Sequence, residues 1–209
     1  MMIRTAIVEF LGTFFLVLTV GLSGRIPSAE IIAPVAVASV LIAFIYAGND
    51  ISGAHYNPAV TLSVWLQGRW NSRMVIPYVA AQFAGAGLAA WCVLALGDVQ
   101  RRLEPILLRE GFIAEFVFTF ALCFVILSVT RSDVVASHQL GGLAIGLVVL
   151  GGAVCVGRIS GGVFNPAVAI AMLVMGTAST SDLVVYFSAQ STAGIVAALL
   201  ARSMHGKRS

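Results

Sequence analysis

Charge is scarce in this 209-residue chain: only 10% of residues are Asp, Glu, Lys or Arg, against about 25% in soluble domains. Lysine occurs once, at Lys207, and the other eleven basic residues are arginines. Apolar residues reach 59% and the mean hydropathy is +1.00. A soluble fold of this size could not hide so much apolar surface, because burial leaves a large outer shell that water must wet. The net charge of +3 contains no basic run that could follow a phosphate backbone, so nucleic acid is excluded as a partner. Cysteine is equally sparse. Cys92, Cys123 and Cys155 form an odd set inside apolar runs, which fits neither a disulfide framework nor a metal cluster. The polar segments hold no nucleophile–base pair, metal-ligand spacing or cofactor loop. Neither catalytic residues, a metal nor a cofactor is therefore expected.

What remains is a chain built to cross a bilayer. Six runs, near 5–24, 31–48, 74–97, 111–130, 140–157 and 183–201, suffice to span a hydrocarbon core that takes about 20 helical residues. The first is longer than the core of a secretory signal and is followed by Gly21-Leu-Ser-Gly-Arg25 rather than an Ala-x-Ala exit, so it reads as a retained span. Six spans put both ends on one side. Arg4, Arg69, Arg73, Arg131, Arg202, Lys207 and Arg208 then share that side, with Arg25, Arg101, Arg102, Arg109 and Arg158 opposite. This bias predicts cytoplasmic termini and, for a bacterial cell, an inner-membrane location.

Two further apolar stretches, 58–66 and 166–175, are too short to cross, and each opens with Asn-Pro. They belong to an internal repeat. Ile51-Ser-Gly-Ala-His-Tyr-Asn-Pro-Ala-Val60 matches Ile159-Ser-Gly-Gly-Val-Phe-Asn-Pro-Ala-Val168 at an offset of 108 residues. Tyr78-Val-Ala-Ala-Gln82 and Tyr186-Phe-Ser-Ala-Gln190 share that offset, and Glu9-Phe10 and Glu115-Phe116 nearly share it. Each half, about 1–100 and 101–209, thus carries three spans and one short helix. Three is odd, so the second half must enter the bilayer upside down. Paired short segments in an inverted repeat point to a permeation or binding site at the midplane. The expected fold is a single all-α membrane domain over 1–209, with six transmembrane helices and two re-entrant half-helices.

In each motif Asn57 or Asn165 stands at the N-cap, and Pro58 or Pro166 takes the first helical position, where a missing N–H does no harm. Ala59 and Ala167 follow. Two inverted half-helices meeting at the centre would aim their positive dipole ends and two side-chain amides at a pore. Cations would be repelled there, while neutral solutes could accept hydrogen bonds. The stretches 51–56 and 159–164 are expected to be extended and to offer backbone carbonyls as acceptors. Glu9 and Glu115, one turn into their spans, must face the interior and find donors; the reading is that each accepts backbone N–H groups of a re-entrant loop. The alternative, a proton relay, lacks a second acid or His at helical spacing. Asp50 and Arg158 occupy equivalent repeat positions and are assigned to opposite pore mouths, cytoplasmic and outer. His55 reads as a loop anchor, Trp65, Trp70 and Trp91 as interface or packing aromatics, and Gly142 and Gly146 as a close helix crossing. Cys155 lies half a turn beyond Ala153 and faces either the filter or lipid.

With Asn-Pro-Ala twice in an inverted six-span repeat, the chain resembles the major intrinsic protein family, the aquaporins and aquaglyceroporins. The resemblance runs from Glu9 to Gln190. It implies passive conduction of water or small neutral solutes and a homotetramer with one pore in each monomer. One residue departs from the family pattern: Arg usually follows the second Asn-Pro-Ala at the outer constriction, and here that residue is Val168. Counting from the motifs places the rest of the constriction at Val37, Ala153 and Gly162. A quartet of Val, Ala, Gly and Val is wide, apolar and free of side-chain donors. A similar Arg-to-Val change marks the aquaglyceroporins of bacterial arsenic-resistance operons. The resemblance thus implies a channel for arsenous acid and other polyhydroxylated solutes such as glycerol. The alternatives are a general water, glycerol and urea facilitator or, from another class, an inverted-repeat secondary transporter. Arg158 is either a partial electrostatic substitute for the missing arginine or a solvated loop residue.

Overall fold

In hydrocarbon an unpaired backbone polar group costs several kcal/mol, so a chain this apolar satisfies its backbone within helices. A computed structural model describes residues 2–25, 29–68, 70–97, 99, 106–130 and 135–205, and among them the regular elements are all helical. They are α1 (Met2–Ser23), α2 (Ala29–Ser52), α3 (Pro58–Leu66), α4 (Ser72–Ala95), α5 (Leu108–Val129), α6 (Val135–Ser160), α7 (Pro166–Val174) and α8 (Thr180–His205). Six of these are long and apolar enough to cross a membrane, and they coincide with the six expected spans. The two nine-residue helices are the expected short pair. Arg69, Arg101, Arg102, Arg131, Lys207 and Arg208, used above for orientation, lie outside the described residues, as do the side chains of His138 and His205.

The packing has a two-fold pattern. In the first half α1 lies against α4 and α2; in the second α5 lies against α8 and α6. The halves join where α2 meets α6, and each short helix crosses to the opposite half: α3 packs on α8, and α7 on α4. Small residues permit the close crossings. A Cβ at Gly85 of α4 would meet the backbone of Phe10, and one at Gly194 of α8 would stand 2.9 Å from the Ala59 carbonyl oxygen. Gly146 of α6 sits over Ile42 and Ala38 of α2, with Gly142 over Ile45 and Tyr46, which is the close crossing read from their spacing.

The outside is as apolar as the inside. Ile76, Trp91, Val154 and Leu199 are among many large hydrophobics exposed around the bundle, a surface suited to lipid rather than water. Cys155 is exposed among them, whereas Cys123 is buried beside the Ala59 carbonyl.

One expectation needs correction. The stretches expected to be extended, 51–56 and 159–164, begin later: Ile51 and Ser52 remain in α2, and Ile159 and Ser160 remain in α6. Glycine decides where each helix stops. Gly53 (φ 83°) and Gly161 (φ 88°) take the left-handed conformation that ends helices. Their amides still close the last turns, onto Asn49 and Gly157. The irregular backbone is therefore limited to 53–57 and 161–165.

Candidate functional site

The two irregular loops return to the centre of the bundle and are held there by the same set of bonds twice. In the first half, one Glu9 oxygen accepts from Ser52 Oγ (2.7 Å) and the His55 amide (2.9 Å); the other accepts from the Tyr56 amide (2.7 Å) and Gln82 Nε2 (2.8 Å). In the second half, Glu115 accepts from Ser160 Oγ (2.6 Å) and the Val163 amide (2.9 Å), then from the Phe164 amide (2.8 Å) and Gln190 Nε2 (2.8 Å). Tyr78 and Tyr186 complete the pattern by donating their hydroxyls to the Ser52 and Ser160 carbonyls at 2.8 and 2.7 Å. Both carboxyls are fully buried and serve purely as acceptors for these donors. No relay of further acids continues from either one among these partners.

This scaffold holds strained backbone in place. Ala54, Tyr56 and Phe164 adopt φ of 50°, 49° and 49°, a region that costs a non-glycine residue about 1–2 kcal/mol. The amides of the strained residues and of those just before or between them are the ones bound by serine and glutamate. The Tyr56 ring fills a slot that only glycine leaves open at positions 12 and 48, and its hydroxyl donates to the Phe44 carbonyl at 2.8 Å. The Phe164 ring lies against Gly152 in the same manner.

Past the strained residues, each asparagine caps its own half-helix and also grips the opposite loop. Asn57 Oδ1 accepts from the Ala59 amide, and Asn165 Oδ1 from the Ala167 amide, both at 2.9 Å. Asn57 Nδ2 donates to the Phe164 carbonyl at 2.8 Å, and Asn165 Nδ2 to the Tyr56 carbonyl at 2.9 Å. An amide nitrogen carries two hydrogens, so each asparagine keeps a second N–H beyond this cross-tie. Pro58 and Pro166 occupy the first helical positions, as expected. The N-termini of α3 and α7 consequently face each other across the centre.

A cavity of about 280 Å³ passes this point. Asn57 and Asn165 line it, together with Val37, Ala153, Gly162 and Val168. Gly162 and Ala153 touch: a Cβ on Gly162 would lie 2.9 Å from the Ala153 Cα. Arg158, exposed in the last turn of α6, also lines the cavity, as do Ala33 and Thr177. Asp50 is exposed in the last turn of α2 and does not line the cavity, and Cys155 does not line it either.

Several residues with clear structural roles were not assigned one from sequence. The 108-residue offset flagged Tyr78, Gln82, Tyr186 and Gln190, but only the fold shows that they complete the two carboxyl clusters. Arg25 reads as a plain outer-side charge, yet its guanidinium donates to the carbonyls of Val93, Leu96 and Gly97 and so caps α4. Asp182 accepts from the Ser179 amide (2.7 Å) and the Ile106 amide (3.3 Å), fixing the start of α8 and the approach to α5. His55 is an anchor: Nδ1 pairs with Thr61 Oγ1 at 3.1 Å, and its ring packs against Trp70 and Tyr78. The second half has Val163 and Ala169 at the corresponding positions, so this part of the first loop has no twin.

Six spans, two half-helices meeting at a cross-tied asparagine pair and a lined central cavity define a membrane protein of the channel type. The model of the family described as "Major intrinsic protein" matches residues 1–154 and 111–208. The chain is 32% identical over 212 residues to the glycerol uptake facilitator protein-like 6 of Lactiplantibacillus plantarum, covering 96% of this chain and 98% of that one. It is 36% identical to aquaporin NIP1-1 of Oryza sativa subsp. japonica over 83% of this chain, a match that spans 65% of the rice protein. Aquaporin AqpM of Methanothermobacter thermautotrophicus is 30% identical over 78% of the chain. The X-ray structure of the aquaglyceroporin from Plasmodium falciparum superimposes with a TM-score of 0.78 over 100% of this chain and 97% of that one, at 22% identity. The chain belongs to the major intrinsic protein family, that of the aquaporins and aquaglyceroporins, and has the aquaglyceroporin fold.

Proposed function

We propose that the protein is a passive channel for small neutral solutes, with arsenous acid and glycerol-like polyols as its substrates. The observation that carries this reading is the make-up of the cavity wall. Val37, Ala153, Gly162 and Val168 all line it, and none bears a side-chain hydrogen-bond donor or a charge. Pore diameter, lining donors and electrostatic barriers set selectivity. A small apolar ring without arginine admits a polyhydroxylated neutral molecule and does not select tightly for water. The second N–H of Asn57 and Asn165 then offers such a solute its hydrogen bonds at the midplane, while the facing helix N-termini disfavour cations. Arg158, lining the outer end, adds positive charge on the side where Val168 stands in place of the usual arginine. The similarity to the Lactiplantibacillus glycerol uptake facilitator-like protein supports a solute broader than water.

In this reading the termini are cytoplasmic, the protein sits in a cell membrane as a homotetramer, and the gradient sets the direction of flux. Stopped-flow measurements on proteoliposomes with water, glycerol and arsenous acid, for wild type and Val168→Arg, test it. The expected result is fast glycerol and arsenous acid flux that the substitution abolishes while part of the water flux survives. Glycerol flux without arsenous acid flux would reduce the protein to a general facilitator. Uphill accumulation of solute would replace the channel with a secondary transporter.

A further inference from the structure

The two-fold pattern that places Val37, Ala153, Gly162 and Val168 around the outer part of the cavity places an image of that ring on the other side of the asparagine pair. Its members are Ile145, Ile45, Ala54 and Val60, each 108 positions from its outer counterpart, and all four line the same cavity. Val37 and Ile45 stand eight residues apart on α2, as do Ile145 and Ala153 on α6. At a rise of 1.5 Å per residue the rings are therefore about 12 Å apart along the pore.

The two rings differ in side-chain bulk. Ile145 replaces Val37, Ile45 replaces Ala153, Ala54 replaces Gly162, and Val60 matches Val168. At no position is the inner residue the smaller. All four inner side chains are buried, at 9% exposure or less, whereas Val37, Ala153 and Gly162 are only partly covered. Ala54 holds its place at a positive φ, tied through its amide to Ser52 Oγ at 3.0 Å. The cavity wall takes in Ala33, Arg158 and Thr177 but neither Asn49 nor Asp50, one turn of α2 beyond Ile45.

We propose that the ring of Ile45, Ala54, Val60 and Ile145 is the narrowest part of the pore and sets the upper size limit of its solutes. This rests on the channel reading given above. The outer ring, small and without arginine, passes what the inner ring then sieves by bulk alone, since neither ring carries a side-chain donor.

The test is a size series in proteoliposomes: urea, glycerol, the four-carbon polyol erythritol and the five-carbon polyol arabitol, followed by stopped-flow light scattering. Ile45→Ala with Ile145→Val gives the inner ring the side chains of the outer one at every position but Ala54, which corresponds to Gly162 in the repeat. The ratio of erythritol to glycerol permeability is expected to rise about three- to ten-fold, because diameter is then the property changed. Ile145→Val alone removes one methyl group and is expected to produce a smaller rise. It is the variant that carries the test if the double substitution does not yield folded protein. Ile45→Phe is expected to reduce glycerol flux about ten-fold or more while water flux falls less. An unchanged ratio in folded variants that still conduct glycerol overturns the inner sieve and leaves the channel reading intact. Wild-type vesicles no more permeable to urea or glycerol than empty ones overturn both.

Discussion

Replacing Glu115 by Gln changes one oxygen into NH2 and little else, and the geometry says what that must do. Four donors converge on this carboxyl, two per oxygen, and one donor on each oxygen is a backbone amide: Val163 on Oε1 and Phe164 on Oε2. Ser160 can rotate its hydroxyl and Gln190 can turn its amide, so these two can adapt to a neighbouring NH2. The backbone amides cannot. Whichever way the new side chain is oriented, one of them loses its acceptor and faces an N–H donor in a fully buried site. An orphaned buried donor costs about 1–3 kcal/mol, and the charge-assisted bonds that remain fall to roughly half their strength. The expected loss is about 2–4 kcal/mol. Glu9→Gln should lose a similar amount, because His55 and Tyr56 divide its two oxygens in the same way. Ser160→Ala, which removes one adaptable donor and the acceptor of the Gly162 amide, should cost about 1–2 kcal/mol. Unfolding in mixed micelles, followed by tryptophan fluorescence against SDS mole fraction, measures all three. A Glu115→Gln midpoint within about 0.5 kcal/mol of wild type would refute the argument that these carboxyls hold the loops.

Gly12→Val drives a side chain into the Tyr56 ring and should destabilise by about 1–3 kcal/mol or more. Gly87→Ala, at a position where a Cβ meets nothing within 4 Å, should be neutral or mildly stabilising in the same assay. Asn165→Asp replaces the donor to the Tyr56 carbonyl with an acceptor and puts negative charge between the two half-helix N-termini. Cation conductance in planar bilayers should appear that wild type lacks, and an unchanged conductance would remove the asparagine pair as a cation barrier. Asp182→Ala leaves the Ser179 and Ile106 amides without their partner and should lower stability by about 1 kcal/mol. Asp182→Asn retains one acceptor oxygen and should recover most of that loss on the same denaturation curve.

The sequence by itself determined the membrane environment, the number of spans and the pairing of two short helices at one repeat offset. Each follows from the local requirement that a backbone in hydrocarbon satisfy its own polar groups, and that requirement is written as apolar run length and Asn-Pro punctuation. It also forced Glu9 and Glu115 inward, since a lone carboxyl in lipid is untenable, although it did not identify every donor they would meet. Those donors were decided by tertiary structure. Gln82 and Gln190 lie 73 and 75 residues from the glutamates they contact, and nothing in local pattern states that α1 packs on α4 or α5 on α8. The same holds for Arg25, whose charge is visible in the sequence but whose carbonyl partners are 68 to 72 residues away. Helix ends were settled by glycines entering the left-handed region, which carried α2 and α6 two residues into the stretches expected to be extended. That Ile45 and Ile145 line one cavity was decided in the same way. Each reads as an ordinary apolar residue of its own span, and only the meeting of α2 with α6 sets both on one wall.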